Sequence, residues 1–114
     1  MTPDQLEALA RRVETEEPSN ELWREVLAAL GSEAEPGSAP NPLWSIDDAD
    51  RARPAGWHVW YITNEVIAPY TWLVHLILPD KGIFACGRAP TEPRARTAAD
   101  IRAMAVDARE ADHG

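Results

Sequence analysis

The run Thr71 to Leu78, TWLVHLIL, restricts the fold more than any other stretch of the chain. Side chains on a strand alternate between two faces. Here both classes are apolar: Trp72, Val74, Leu76 and Leu78 make one, and Leu73 and Ile77 flank His75 in the other. An antiparallel strand with one wet side would alternate apolar with polar, so this one predicts cover on both faces, with Val74, Leu76 and Ile77 all buried. Pro79-Asp80-Lys81-Gly82 follows as a tight-turn signal, and Ile83 to Arg88 (IFACGR) reads as the next strand. Pairing Leu78 with Ile83 sets His75 opposite Cys86 and Leu73 opposite Arg88. Trp57 to Ile62 (WHVWYI) supplies a third strand, joined to the second by a longer loop.

The covers are helical. Leu6, Leu9, Ala10 and Val13 recur at helical spacing behind a cap at Asp4, and Pro18 ends that helix. Ser19 or Asn20 caps a second helix, Glu21 to Leu30, with Leu22, Trp23, Val26, Leu27 and Leu30 as its apolar stripe and Gly31 as its stop. Residues 31–42 form a linker rich in Gly, Pro, Ser and Ala, and Ser45 with Asp48 forms a capping box for a short helix through Arg51. A last helix opens at Thr91 or Thr97, and its Ala98, Ile101, Met104, Ala105 and Ala108 suit close packing on a sheet. The predicted class is α+β: a three-stranded antiparallel sheet covered by helices on both faces, an α/β/α sandwich in the order αα-(α)-βββ-α. The N-terminal pair takes one face and the last helix the other. At 114 residues this is one domain, 1–114, with 110–114 as a flexible tail. Trp23 and Trp60 are expected to stabilise it through packing.

A pattern of caps, turns and core positions resembles a known family. Glu17-Pro-Ser-Asn-Glu-Leu-Trp-Arg-Glu-Val-Leu-Ala-Ala-Leu-Gly31 is similar to the opening helix of the phage ABA sandwich domain, found in small phage and prophage proteins. Trp44-Ser45-Ile46-Asp47-Asp48-Ala49 stands where that family has its Tyr-Ser-x-Asp-Ala-Ala segment, and Gly56-Trp57 where a strand begins. Thr91-Glu92-Pro93 with Ala98 to Ala108 stands for the Thr-Pro and Ala-rich last helix. Trp23 replaces the family's helix Asp, and Glu92 splits its Thr-Pro. The resemblance spans residues 17–108. It implies a phage-associated sandwich and brings no catalytic residues.

Charge is uneven. The net charge is −8, and residues 1–38 carry nine acids against three bases, while residues 83–114 carry five of each. An acidic chain disfavours nucleic acid and favours a basic partner. The single cysteine, Cys86, cannot form an internal disulfide. No stretch is long and apolar enough for a membrane span, and the N-terminus lacks a signal-peptide pattern, so a cytoplasmic location in a bacterial host is expected.

The candidate chemistry is sparse. His75, Cys86 and His58 are three soft groups near one sheet without a ligand-spacing motif, so no metal and no cofactor is expected. Arg88, Arg94, Arg96 and Arg102 cluster near the start of the last helix; they read as an anion site on the Gly87–Thr91 loop or as surface charges paired with Glu92 and Asp100. Asp47, Asp48 and Asp50 lack the glycine and distal glutamate of a calcium loop.

No hydrolase or zinc-protease motif is present. The expectation is therefore a non-enzymatic phage-type interaction protein, in its most concrete form an anti-CRISPR-like inhibitor. Its acidic surface would occlude a basic nucleic-acid-binding partner. Glu14, Glu16, Glu17, Asp47, Asp48 and Asp50 are the candidate contacts, with Val66, Ile67 and Tyr70 as an apolar anchor. Reversing Glu14, Glu16 and Glu17 to lysine is expected to leave the fold intact. A homo-oligomeric phage assembly protein and a small metal- or phosphate-ligand enzyme are the alternatives.

Overall fold

A computed structural model describes residues 1–17, 19–29, 53–65 and 71–113. Helix α1 (Pro3–Thr15) starts at Thr2, whose hydroxyl accepts from the Gln5 N–H at 3.1 Å while Gln5 Oε1 accepts from the Thr2 N–H at 2.8 Å. This reciprocal box satisfies two otherwise orphaned donors. The cap is thus Thr2 rather than Asp4, which instead lies in the first turn, where a carboxylate complements the helix dipole. Helix α2 (Asn20–Ala29) is capped by Ser19, whose Oγ accepts from the Leu22 N–H at 3.1 Å.

Strands β1 (His58–Glu65), β2 (Thr71–Leu78) and β3 (Ile83–Ala89) form an antiparallel sheet in the order β1-β2-β3. The β2–β3 register is the predicted one, with Leu78 opposite Ile83, His75 opposite Cys86 and Leu73 opposite Arg88. Gly82 closes the turn at φ +63°, and its N–H reaches the Leu78 carbonyl at 2.9 Å. Helix α3 (Glu92–His113) completes the fold and takes in residues 110–113, expected as a tail. The expected short helix at Ser45–Arg51 lies outside the described residues.

The α+β class, the three-stranded antiparallel sheet and the packing of helices on it are as predicted. The placement of the N-terminal helix pair differs. Leu6, Leu9, Val13, Leu22, Trp23 and Val26 form a core with Ala98, Ile101 and Ala105 of α3, so α1 and α2 pack on α3. Ala95, Ala99 and Ala103 on the other flank of α3 meet Trp57, Val74, Leu76, Ala85 and Ala89 of the sheet side. Helix α3 is therefore a middle layer. Burying two flanks requires small or apolar residues on most of its circumference, which is why its amphipathic pattern is weak.

The alanine flank lets α3 approach the sheet closely, and Trp57, 2 % exposed, seals the end of that interface. Its indole N–H donates to both carboxylate oxygens of Asp107 on α3, at 3.2 and 3.3 Å. The other sheet face is only partly covered. On β2, Val74 and Leu76 are buried as predicted, while Leu73, His75 and Ile77 are half-buried. Apolar residues on both faces of a strand thus do not require both to be core: here one face is buried and the other partly exposed.

Candidate functional site

The partly exposed face of the sheet gathers aromatic side chains. A register shift between Val59 and Tyr61 makes Trp60 an extra residue in β1. Such a bulge breaks the alternation of side chains, so Trp60 and its neighbour Tyr61 share one face and lie in contact, ring centroids 5.2 Å apart. Tyr61, opposite His75 across the ladder, stacks on its imidazole at 4.3 Å and 18°. Trp60 leans on Phe84 of β3 at 4.8 Å and touches the His75 ring edge-on at 6.4 Å. The outer rings are open to solvent: Trp60 is 57 % exposed, Phe84 45 % and Tyr61 39 %.

Trp60, expected in packing, follows inward-facing Val59 and points to the open face, and the bulge brings Tyr61 to the same side. Trp23 is buried as expected, at 4 %.

Beneath these rings, Cys86 Sγ lies 3.2 Å from His75 Nδ1, the cross-strand pair expected from the register. Burial pushes the Cys86 thiol up; the Arg102 guanidinium partly opposes this and Glu14 adds to it. A thiol held in its neutral form is a poor nucleophile. Among the described residues no hydrogen-bond partner meets the buried His75 Nε2, so none of them orients the imidazole as a nucleophile–base relay requires. Among the described residues, no group of three or more His, Cys, Asp or Glu side chains is placed to hold a metal. None of the helices among them is long and apolar enough to cross a membrane.

The arginines near the start of α3 are mostly turned inward. Arg94, 6 % exposed, donates from Nε to the Val13 carbonyl at 3.0 Å and from Nη2 to the Glu16 carbonyl. It thereby caps the C-terminal end of α1, where unpaired carbonyls and the helix dipole favour a cation. Desolvation lowers its pKa, partly offset by Glu17. Arg102 grips Glu14 with two parallel bonds of 2.6 Å and also donates to Glu7 at 3.2 Å and to the Cys86 carbonyl at 2.9 Å. Arg96 pairs with Glu92 at 3.4 Å.

A shallow cleft of about 390 Å³ runs past Glu14, Thr71, Arg88 and Pro90, beside the loop read as an anion site. The anion this loop holds is the chain's own: Glu14 Oε2 accepts from the Arg88 N–H at 2.7 Å. That bond also occupies a donor on the edge of β3.

The predicted contact residues therefore separate. Glu14 is an internal link among α1, α3 and β3, with its side chain 14 % exposed, and the expectation that its reversal spares the fold is corrected on that ground. Glu16, on an Arg12 pair, and Glu17 are exposed at the end of α1. Asp47, Asp48 and Asp50 lie outside the described residues, as do Val66, Ile67 and Tyr70. The Trp60–Tyr61–Phe84 surface was missed as a site because period-two reading assigns neighbouring residues to opposite faces. The Trp60-Tyr61 pair amid β-branched residues was its one visible sign.

The chain matches no family model, no curated protein and no solved structure.

Proposed function

We propose that this chain is a non-enzymatic interaction protein that binds a protein partner with a basic surface. The observation that carries the reading is the solvent-open aromatic patch on an ordered sheet. Contiguous apolar surface of this kind marks contact sites in soluble proteins, and Trp and Tyr are favoured anchors of such sites. The choice of a basic partner comes from charge. A net −8 steers positively charged partners and repels polyanions. In the phage setting implied by the family resemblance, the concrete form is an anti-defence inhibitor that covers the nucleic-acid groove of a host protein.

The test is binding of the full chain to immobilised polylysine and to heparin at low and physiological salt. Binding to polylysine alone is expected, weakening as salt screens the attraction over about 8–10 Å. Lysine in place of Glu16, Glu17 and Glu21 should slow association more than it speeds dissociation. Heparin binding, or no polylysine binding at low salt, would remove the basic partner from the account.

A further inference from the structure

The aromatic face has three conceivable occupants: a second copy of the chain, a single-stranded nucleic acid stacking its bases, and a segment of a basic protein. Charge separates them. Two copies each carrying −8 repel, and a polyanion is repelled for the same reason. A cationic protein segment is drawn toward the chain by its acid surplus, most of which lies in residues 1–38. The face itself offers such a segment little but rings. Its fixed cation, Arg88, sits four residues along β3 from Phe84, about 13 Å at the rise of a strand.

Resting on the reading of the chain as a binder of basic partners, we infer that this face takes arginine side chains of the partner, stacked on the outer ring faces of Trp60 and Phe84. Aromatic faces carry negative quadrupole density and attract cations within about 6 Å, and indole does so best. A guanidinium is planar and weakly hydrated, so it lies flat on a ring and loses less solvation than an ammonium. The platform is already assembled. Trp60 and Phe84 lean on each other with only 35° between their planes, and Tyr61 is fixed by its stack on His75. The bulge sets Tyr61 beside Trp60 on this face before any partner arrives. Docking therefore immobilises few additional side chains, which preserves affinity.

The experiment titrates the full chain with oligoarginine and oligolysine peptides of equal length at low salt, read by isothermal titration calorimetry. It compares the native chain with Trp60→Leu and with a Trp60→Leu/Phe84→Leu double variant. Leucine keeps apolar bulk and removes the π face. Oligoarginine is expected to bind about tenfold more tightly than oligolysine. The double variant should bind oligoarginine no more tightly than oligolysine, with its thermal melt kept.

Equal affinities in the native chain, or a preference that survives the double substitution, would overturn the assignment while leaving the basic partner standing. Binding of neither peptide would remove both. A mass that doubles with concentration and rises with salt would make a second copy the occupant. Quenching of Trp60 by oligothymidine would make nucleic acid the occupant. Either result overturns the proposal.

Discussion

Gly87 on β3 lies so close to Ala95 on α3 that a Cβ at Gly87 would sit 2.0 Å from the Ala95 carbonyl oxygen and 2.6 Å from the Ala99 nitrogen. Both obstacles are backbone, so neither can swing aside. The contact sets how tightly the middle helix rides on the sheet, and through it how the sheet faces outward. Gly87→Ala should destabilise the chain by on the order of 3 kcal/mol by overpacking. A urea melt checks this, with the same substitution at exposed Gly82 as a comparison. There a Cβ meets nothing within 4 Å, and only the positive φ is strained.

Glu14 and Arg102 form the main polar bond between α1 and α3, with side chains 14 % and 21 % exposed. Glu14→Gln should cost about 2 kcal/mol, because it breaks a two-pronged ionic pair and weakens the bond to the Arg88 N–H. Glu14→Lys should cost about 3 kcal/mol or more, by leaving Arg102 facing a like charge. Glu16→Lys removes only an exposed i,i+4 pair with Arg12 and should cost under about 0.5 kcal/mol. Matched thermal melts of the three variants distinguish an internal link from surface charge.

The tryptophans should divide by burial. Trp23→Ala and Trp57→Ala should each cost about 3–5 kcal/mol through lost core volume, and the latter also leaves Asp107 without its indole partner. Trp60→Ala should cost about 1 kcal/mol or less, since more than half of its surface already faces water. Denaturant midpoints of the three variants measure the difference.

Cys86 links stability to alkaline pH. Burial raises its pKa in the folded chain, so as pH climbs past the ordinary thiol value, about 8.5, the unfolded chain loses this proton first. The unfolded state then binds fewer protons than the native state, and stability falls with rising pH until the folded thiol ionises as well. Below the ordinary thiol value Cys86 contributes no slope. Cys86→Ala should flatten the alkaline limb of a melting-temperature profile. Alkylation by iodoacetamide at pH 8 should be slow in the native chain and fast in denaturant.

Much of the fold was legible because local signals and global needs coincide. The turn at Pro79–Gly82 fixed the hairpin register, and the spacing of Leu6, Leu9 and Val13 gave the buried side of α1. What escaped depends on long-range geometry. Apolar residues on both faces of β2 do not say whether the second face meets a helix or a partner. The alanines of α3 read as one slim face, whereas Ala95, Ala99 and Ala103 meet the sheet and Ala98, Ile101 and Ala105 meet α1 and α2. Of the candidate site, the His75–Cys86 pairing followed from strand register. The placing of Trp60 and Tyr61 on one face did not, because a single inserted residue reverses the side to which the positions after it point. Arg94 and Arg102 looked like surface charge because their partners on α1 lie far away in sequence.

On the proposed reading the open sheet face, rather than the acidic helices, is where a basic partner docks. An amide and indole NMR titration of the full chain with oligoarginine tests it directly. Shifts are expected to concentrate on the Trp60 indole and on the backbone of Trp60, Tyr61, His75 and Phe84, with Glu16, Glu17 and Glu21 little changed. Shifts confined to α1 and α2, with the Trp60 indole unmoved at saturation, would contradict it.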